Sequence, residues 1–185
     1  MNFPVVDSID YRSLNYARSW KGIPIMLQQN DTAFLSFMCV VAAIDALAAY
    51  RYEDKVGSTP ISCRILHALF PRHRCAPGGV GERFRKFVRE YFRPAYQPHA
   101  QNLYVFRCRI LHNFSPAYFS VGHAQPGRHL QRSDIGDHVL DDGTFFADMR
   151  AAAEKYFAEV ATSADLQAKM AARIADINRG GAIYF

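Results

Sequence analysis

Leu103-Tyr104-Val105-Phe106-Arg107-Cys108-Arg109-Ile110-Leu111-His112-Asn113-Phe114 sets two arginines and a histidine in a run that is otherwise mostly apolar and aromatic. The pattern predicts a helix over 103–114. Ser115-Pro116 ends it, because a proline disfavours helical backbone in the residue before it. Arginine presents a fixed cationic fork that matches phosphate, and histidine moves a proton near neutral pH. Cleaving RNA without a metal needs a base for the 2′-OH, an acid for the leaving oxygen and a cation for the crowded phosphorane. Arg107 and His112 are therefore the candidate catalytic residues. Arg107 would hold the phosphate bidentately, and His112 would act as base or acid. On a continuous helix residues five apart point about 140° away from each other, whereas residues three apart share a face. Periodicity alone thus pairs Arg109 with His112, and Arg109 stands as a supporting residue.

Upstream, 82–92 (ERFRKFVREYF) is strongly amphipathic, with Phe84, Phe87, Val88 and Tyr91 at helical spacing. Pro94 and Pro98 follow it. Arg83, Arg85, Lys86, Arg89 and Arg93, interleaved with aromatics, form a candidate nucleic-acid-binding face, although Phe84, Phe87 and Tyr91 at that spacing also fit a core stripe. Residues 72–81 (RHRCAPGGVG) read as a loop and 61–70 as a short helix. Further upstream, 33–52 is rich in alanine and leucine and apolar around most of its circumference, which predicts a helix central to the core, with Asp31 as its N-cap. Asp45 interrupts that helix. A buried carboxylate is costly unless paired, so Asp45 is expected to orient Arg107 or His112. Asp45 and Glu90 are the two carboxylates expected as partners for Arg107. Residues 1–30, with Pro4, Gly22 and Pro24, read as an N-terminal arm with a short helix near 11–20.

Downstream, YFSVGH (118–123) and DHVL (137–140) are short and strand-like, separated by Pro126-Gly127. They predict a small β-hairpin near 117–141, within an insertion spanning 115–143. Thr144 is the expected N-cap of a helix over 145–160. Ser163-Ala164-Asp165 opens a last helix over 166–178, ended by Gly180-Gly181. The fold class is mainly α, a helical bundle of five to six helices in one domain over 31–185.

Composition narrows the function classes. The 185 residues suit one domain, and half are hydrophobic, which argues against wholesale disorder. A net charge of +5 permits an anionic partner without requiring one. The stretch 33–49 comes closest to a membrane span, and Asp45 interrupts it. The N-terminus lacks the pattern of a secretory signal. The four cysteines (Cys39, Cys63, Cys75, Cys108) stand singly, with no CxxC pair. Cys39 and Cys108 read as small core residues. A reduced, cytoplasmic protein is expected. His123, His129 and His138 lie among acidic residues but lack the spacing of a helical zinc site, so no metal and no cofactor is called for. Phosphate-loop, dinucleotide-binding and nucleophile-elbow motifs are missing from the sequence. One pentapeptide, Cys63-Arg64-Ile65-Leu66-His67, is echoed at 108–112, without flanking similarity that would make it a structural repeat.

The residues resemble the HEPN superfamily, whose signature is an Arg, four to six residues, then a His, late in a four-helix bundle. Arg107 and His112 fit with four residues between them. The flanking Phe87-Val88-Arg89-Glu90-Tyr91-Phe92 and the run from Tyr104 to His112 are similar to an uncharacterised bacterial HEPN-like group, and Phe146-Ala147-Asp148-Met149 fits its tail. The likeness covers about 31–115, and more loosely 145–178. Cys108 stands where many catalytic members carry Asn, Asp or His, and Arg109 where the look-alike group has a small residue. The resemblance implies a bundle that forms a homodimer with two Arg–His pairs facing one cleft. Active members are metal-independent endoribonucleases. Others are non-catalytic partner-binding or regulatory modules, such as sensors, antitoxin partners or nucleotide binders. RNA, a second copy or an antitoxin-like protein are the partners it implies.

Overall fold

The computed structural model describes residues 33–52 and 79–179, and those residues form five α-helices and one small sheet. The N-terminal arm, the Asp31 cap, the helix expected over 61–70, Cys63, Cys75, the pentapeptide echo at 63–67 and the Gly180-Gly181 stop lie outside them. Helix α1 (Ala33–Arg51) sits at the centre and packs on all four other helices. Its Phe37, Val40, Val41, Ile44, Leu47 and Ala48 are buried at successive turns, as a circumference with few polar residues requires. By length and composition Phe34–Arg51 is apolar enough to cross a membrane, so Asp45 does not take it below that limit; half of the stretch is buried inside the protein.

Helix α2 (Val80–Tyr91) buries Phe84, Phe87, Val88 and Tyr91, the stripe read from sequence. A 3-10 segment, Pro94–His99, opens on Pro94, where no helical N–H is needed, carries Pro98 inside it, and leads into α3 (Ala100–Asn113), which buries Ala100, Leu103, Phe106 and Ile110. Gly81 lets α2 approach α3 closely, since a Cβ there would lie 2.8 Å from the Tyr104 ring. Helix α4 (Asp142–Thr162) buries Phe145, Met149, Ala153, Tyr156 and Val160, and α5 (Ala164–Arg179) closes the bundle with Leu166 and Met170. Aromatic rings join the layers: Phe37 lies 6.0 Å from Phe106 and 6.3 Å from Phe145, and Phe106 lies 5.6 Å from Phe119. Edge-to-face and offset contacts at such separations add to the burial itself.

The insertion differs from the expected hairpin. Strands β1 (Phe119–Gly122) and β2 (His138–Asp141) pair in parallel, with Phe119 opposite His138 and Gly122 opposite Asp141. Fifteen residues separate them (123 to 137), enough for the crossover that parallel pairing needs. An antiparallel bridge does form, but between Arg132 of the crossover and His138, the first residue of β2. The cap of α4 also differs. Asp141, not Thr144, is the N-cap; its Oδ1 accepts the Thr144 N–H at 2.8 Å and the Thr144 hydroxyl at 2.6 Å, while its Oδ2 accepts the Gln125 N–H at 2.6 Å. A carboxylate at this position satisfies helix N–H groups and complements the helix dipole.

Histidines fasten this insertion to the bundle. His129 Nδ1 accepts the Asp141 N–H at 3.1 Å, which leaves its proton on Nε2, 2.6 Å from the Tyr96 hydroxyl. Tyr96 donates in turn to Asp148 at 2.8 Å, and Arg93 donates to the same oxygen. His138 packs on His99 with ring centroids 4.4 Å apart, and His123 Nδ1 lies 2.7 Å from the buried Asp142 carboxylate. Burial holds the pKa of His129 below its ordinary value, with Asp148 and Asp141 opposing and Arg93 reinforcing that shift. Burial, then His138, lowers His99. Both imidazoles take up protons more readily in the unfolded chain, so their contribution is complete above the ordinary histidine value of about 6.5 and is lost as pH falls below it. Urea melts between neutrality and pH 5 should show stability falling with acidification, and His129→Gln should flatten that slope.

Candidate functional site

Arg107 leaves α3 toward α1, where its guanidinium meets Asp45. Nε donates to Asp45 Oδ2, and a terminal nitrogen contacts the same oxygen. The pair is half-buried, with side chains 19% and 17% exposed. Asp45 Oδ1 is buried and makes no hydrogen bond among the described residues. Burial raises the Asp45 carboxyl above its ordinary range, and Arg107, then Arg83, pull it back. Burial weighs against the Arg107 charge, and the charge and hydrogen bonds of Asp45 more than offset it.

Two further arginines approach from other helices. Arg83 of α2 lies within electrostatic reach of Asp45, Arg107 and Arg173 of α5; burial, then Arg173, holds its pKa down. Beside them on α3, Cys108 lies close to both the Tyr104 and the Arg107 side chains. Arg85 lies over the Tyr104 ring at 5.4 Å. Guanidinium groups from α2 and α3 therefore meet the one carboxylate that α1 contributes, and Arg173 of α5 lies within electrostatic reach of Arg83. A planar cationic fork in a half-buried position binds an oxyanion more strongly than it would in water.

The residues expected in the site divide. Asp45 and Arg107 come together, and Glu90 does not join them: it accepts from Tyr52 at 2.5 Å and pairs with Lys86. His112 is exposed in the last turn of α3, and Arg109 is exposed one turn before it. The helix runs unbroken through 107 and 112, so those two side chains leave it about 140° apart. The expected nucleic-acid face also divides. Arg83 turns inward toward Asp45; Arg85 binds Glu82 and Gln101; Lys86 pairs with Glu90; and Arg93 pairs with Asp148. Arg89 is exposed. Among the described residues no three metal-ligating side chains converge on one point.

Sequence reading missed Arg173 and the inward turn of Arg83. Arg83 lies four residues before Phe87, on the margin of the apolar stripe, and that was the available signal. Arg173 carried none, because its approach depends on how α5 packs. No family model, curated protein or solved structure matches the chain.

Asp45→Asn should destabilise the protein by about 2 kcal/mol, because it leaves the Arg107 cation in a half-buried position without its counter-charge. Urea denaturation of the single variant and of Asp45→Leu/Arg107→Leu tests this. The double variant should recover most of the loss.

Proposed function

We propose that this chain is a HEPN-like helical module that recognises the phosphate of RNA or of a nucleotide through Arg107. The observation that carries the reading is the guanidinium of Arg107, half-buried and oriented by Asp45, with Arg83 within electrostatic reach. The resemblance of the Arg107–His112 spacing and its aromatic flanks to HEPN proteins supports it. So does the net charge of +5.

His112 is the group for proton transfer in a metal-independent endoribonuclease. Its direction on α3 keeps it off the phosphate that Arg107 of the same chain would hold. Cleavage by this pair therefore requires a homodimer in which a second copy offers its His112. The competing reading, a non-catalytic partner-binding or regulatory module, draws support from the same divergence and from the pairing of Arg107 within its own chain.

A short single-stranded oligoribonucleotide, incubated with the protein in EDTA, tests the reading. Wild type should bind it, and Arg107→Lys, which keeps the charge but loses the fork, should bind about tenfold more weakly. Products formed by wild type and by an equal mixture of Arg107→Lys and His112→Ala, but by neither variant alone, would assign cleavage to paired copies. Binding without products favours the non-catalytic module. An absence of binding by wild type overturns phosphate recognition.

A further inference from the structure

Phe114 stands one residue beyond α3 with φ 53, in the left-handed region, and is 65% exposed. Its N–H and that of Ser115 both reach the Arg109 carbonyl, closing the helix with a turn that favours glycine. A bulky side chain is disfavoured in that backbone, and one left mostly in water gains little burial in return. Tyr118, four residues on, repeats the combination with φ 65 and 56% exposure. The Phe114 ring nevertheless has a partner, for Phe34 of α1 stacks on it with centroids 6.5 Å apart and planes 28° from parallel. One face of the ring is thus supported, and the residue remains largely open to solvent.

The chemistry around it is cationic. Arg109 and His112, both exposed, precede Phe114 by five and two residues. Arg107 precedes it by seven residues, about 10 Å along the axis of α3, and both side chains reach α1, Arg107 at Asp45 and Phe114 at Phe34. An aromatic face backed by a second ring, beside cations and in line with a phosphate-binding fork, suits a base whose own phosphate chain runs along the helix. Stacking needs a base face that duplex pairing hides, and it tolerates any base.

We propose that Phe114, backed by Phe34 and flanked by Arg109 and His112, is a stacking platform for an unpaired nucleobase. The site then takes single-stranded RNA in preference to duplex. This inference rests on the phosphate reading of Arg107 and adds to it the base and the strandedness.

Fluorescence anisotropy with a labelled single-stranded oligoribonucleotide, the same strand in a duplex, and an abasic strand of equal length tests the proposal. Phe114→Asn is the decisive variant, because asparagine suits the left-handed backbone and should keep the fold, as a thermal melt will show. It should bind the single strand about tenfold more weakly than wild type, and Phe114→Trp should retain wild-type binding. Both variants should bind the abasic strand as wild type does, while Arg107→Lys weakens binding to both strands. Unchanged binding by Phe114→Asn overturns the platform, as does equal wild-type affinity for the base-bearing and abasic strands, and either result leaves phosphate recognition standing. Binding of neither strand by wild type overturns both. If light scattering shows that Phe114→Asn lowers the oligomeric state, the ring belongs to a contact between copies and the platform is likewise overturned.

Discussion

A single carboxylate constrains this bundle. Helix α1 is apolar enough to be buried on nearly every side, yet it carries Asp45 into the packing. An isolated charge in that position would oppose folding, and the fold answers it with Arg107. The pair joins α1 to α3, and the Phe34–Phe114 stack joins α1 to the residue that follows α3. The arginine that makes α1 buriable is also the one whose fork suits a phosphate. Structure and recognition share a residue, and an arriving oxyanion has to share the fork with Asp45.

The insertion is governed by a different economy. It is small, and its two strands cannot hold themselves in place. Its anchorage comes from polar side chains that reach into the bundle: His129 to Tyr96 and Asp148, His123 to Asp142, and Asp141 to both Gln125 and the first turn of α4. Buried polar groups of this kind are favourable only while each has its partner. The orientation of the insertion is accordingly set by hydrogen-bond geometry as much as by apolar area.

What could be read from sequence follows from how local the signal was. The stripe of Phe84, Phe87, Val88 and Tyr91 lies within one helix and obeys its period, so the burial of α2 was legible. The apolar circumference of α1 likewise announced a central helix. Asp45 was legible as a charge in need of a partner, and Arg107 was one of the cations available to it. The strand direction was not, because alternation locates a strand without saying which way its neighbour runs. Nor was the cap of α4: Asp141 and Thr144 are both good capping residues, and the choice depends on the Gln125 N–H, which arrives from another part of the chain. The convergence of Arg83 and Arg173 was hidden for a related reason, since it joins helices that are distant in sequence.

The parallel pairing of β1 and β2 also has a kinetic side. Neighbouring antiparallel strands can zip from a turn, with each pair placing the next, whereas here the fifteen-residue crossover has to be in place before Phe119 can meet His138. The contact between Phe119 and Phe106 gives β1 a surface to settle on before its partner strand arrives. Assembly therefore has a natural order, with the helices as template and the sheet as a late addition.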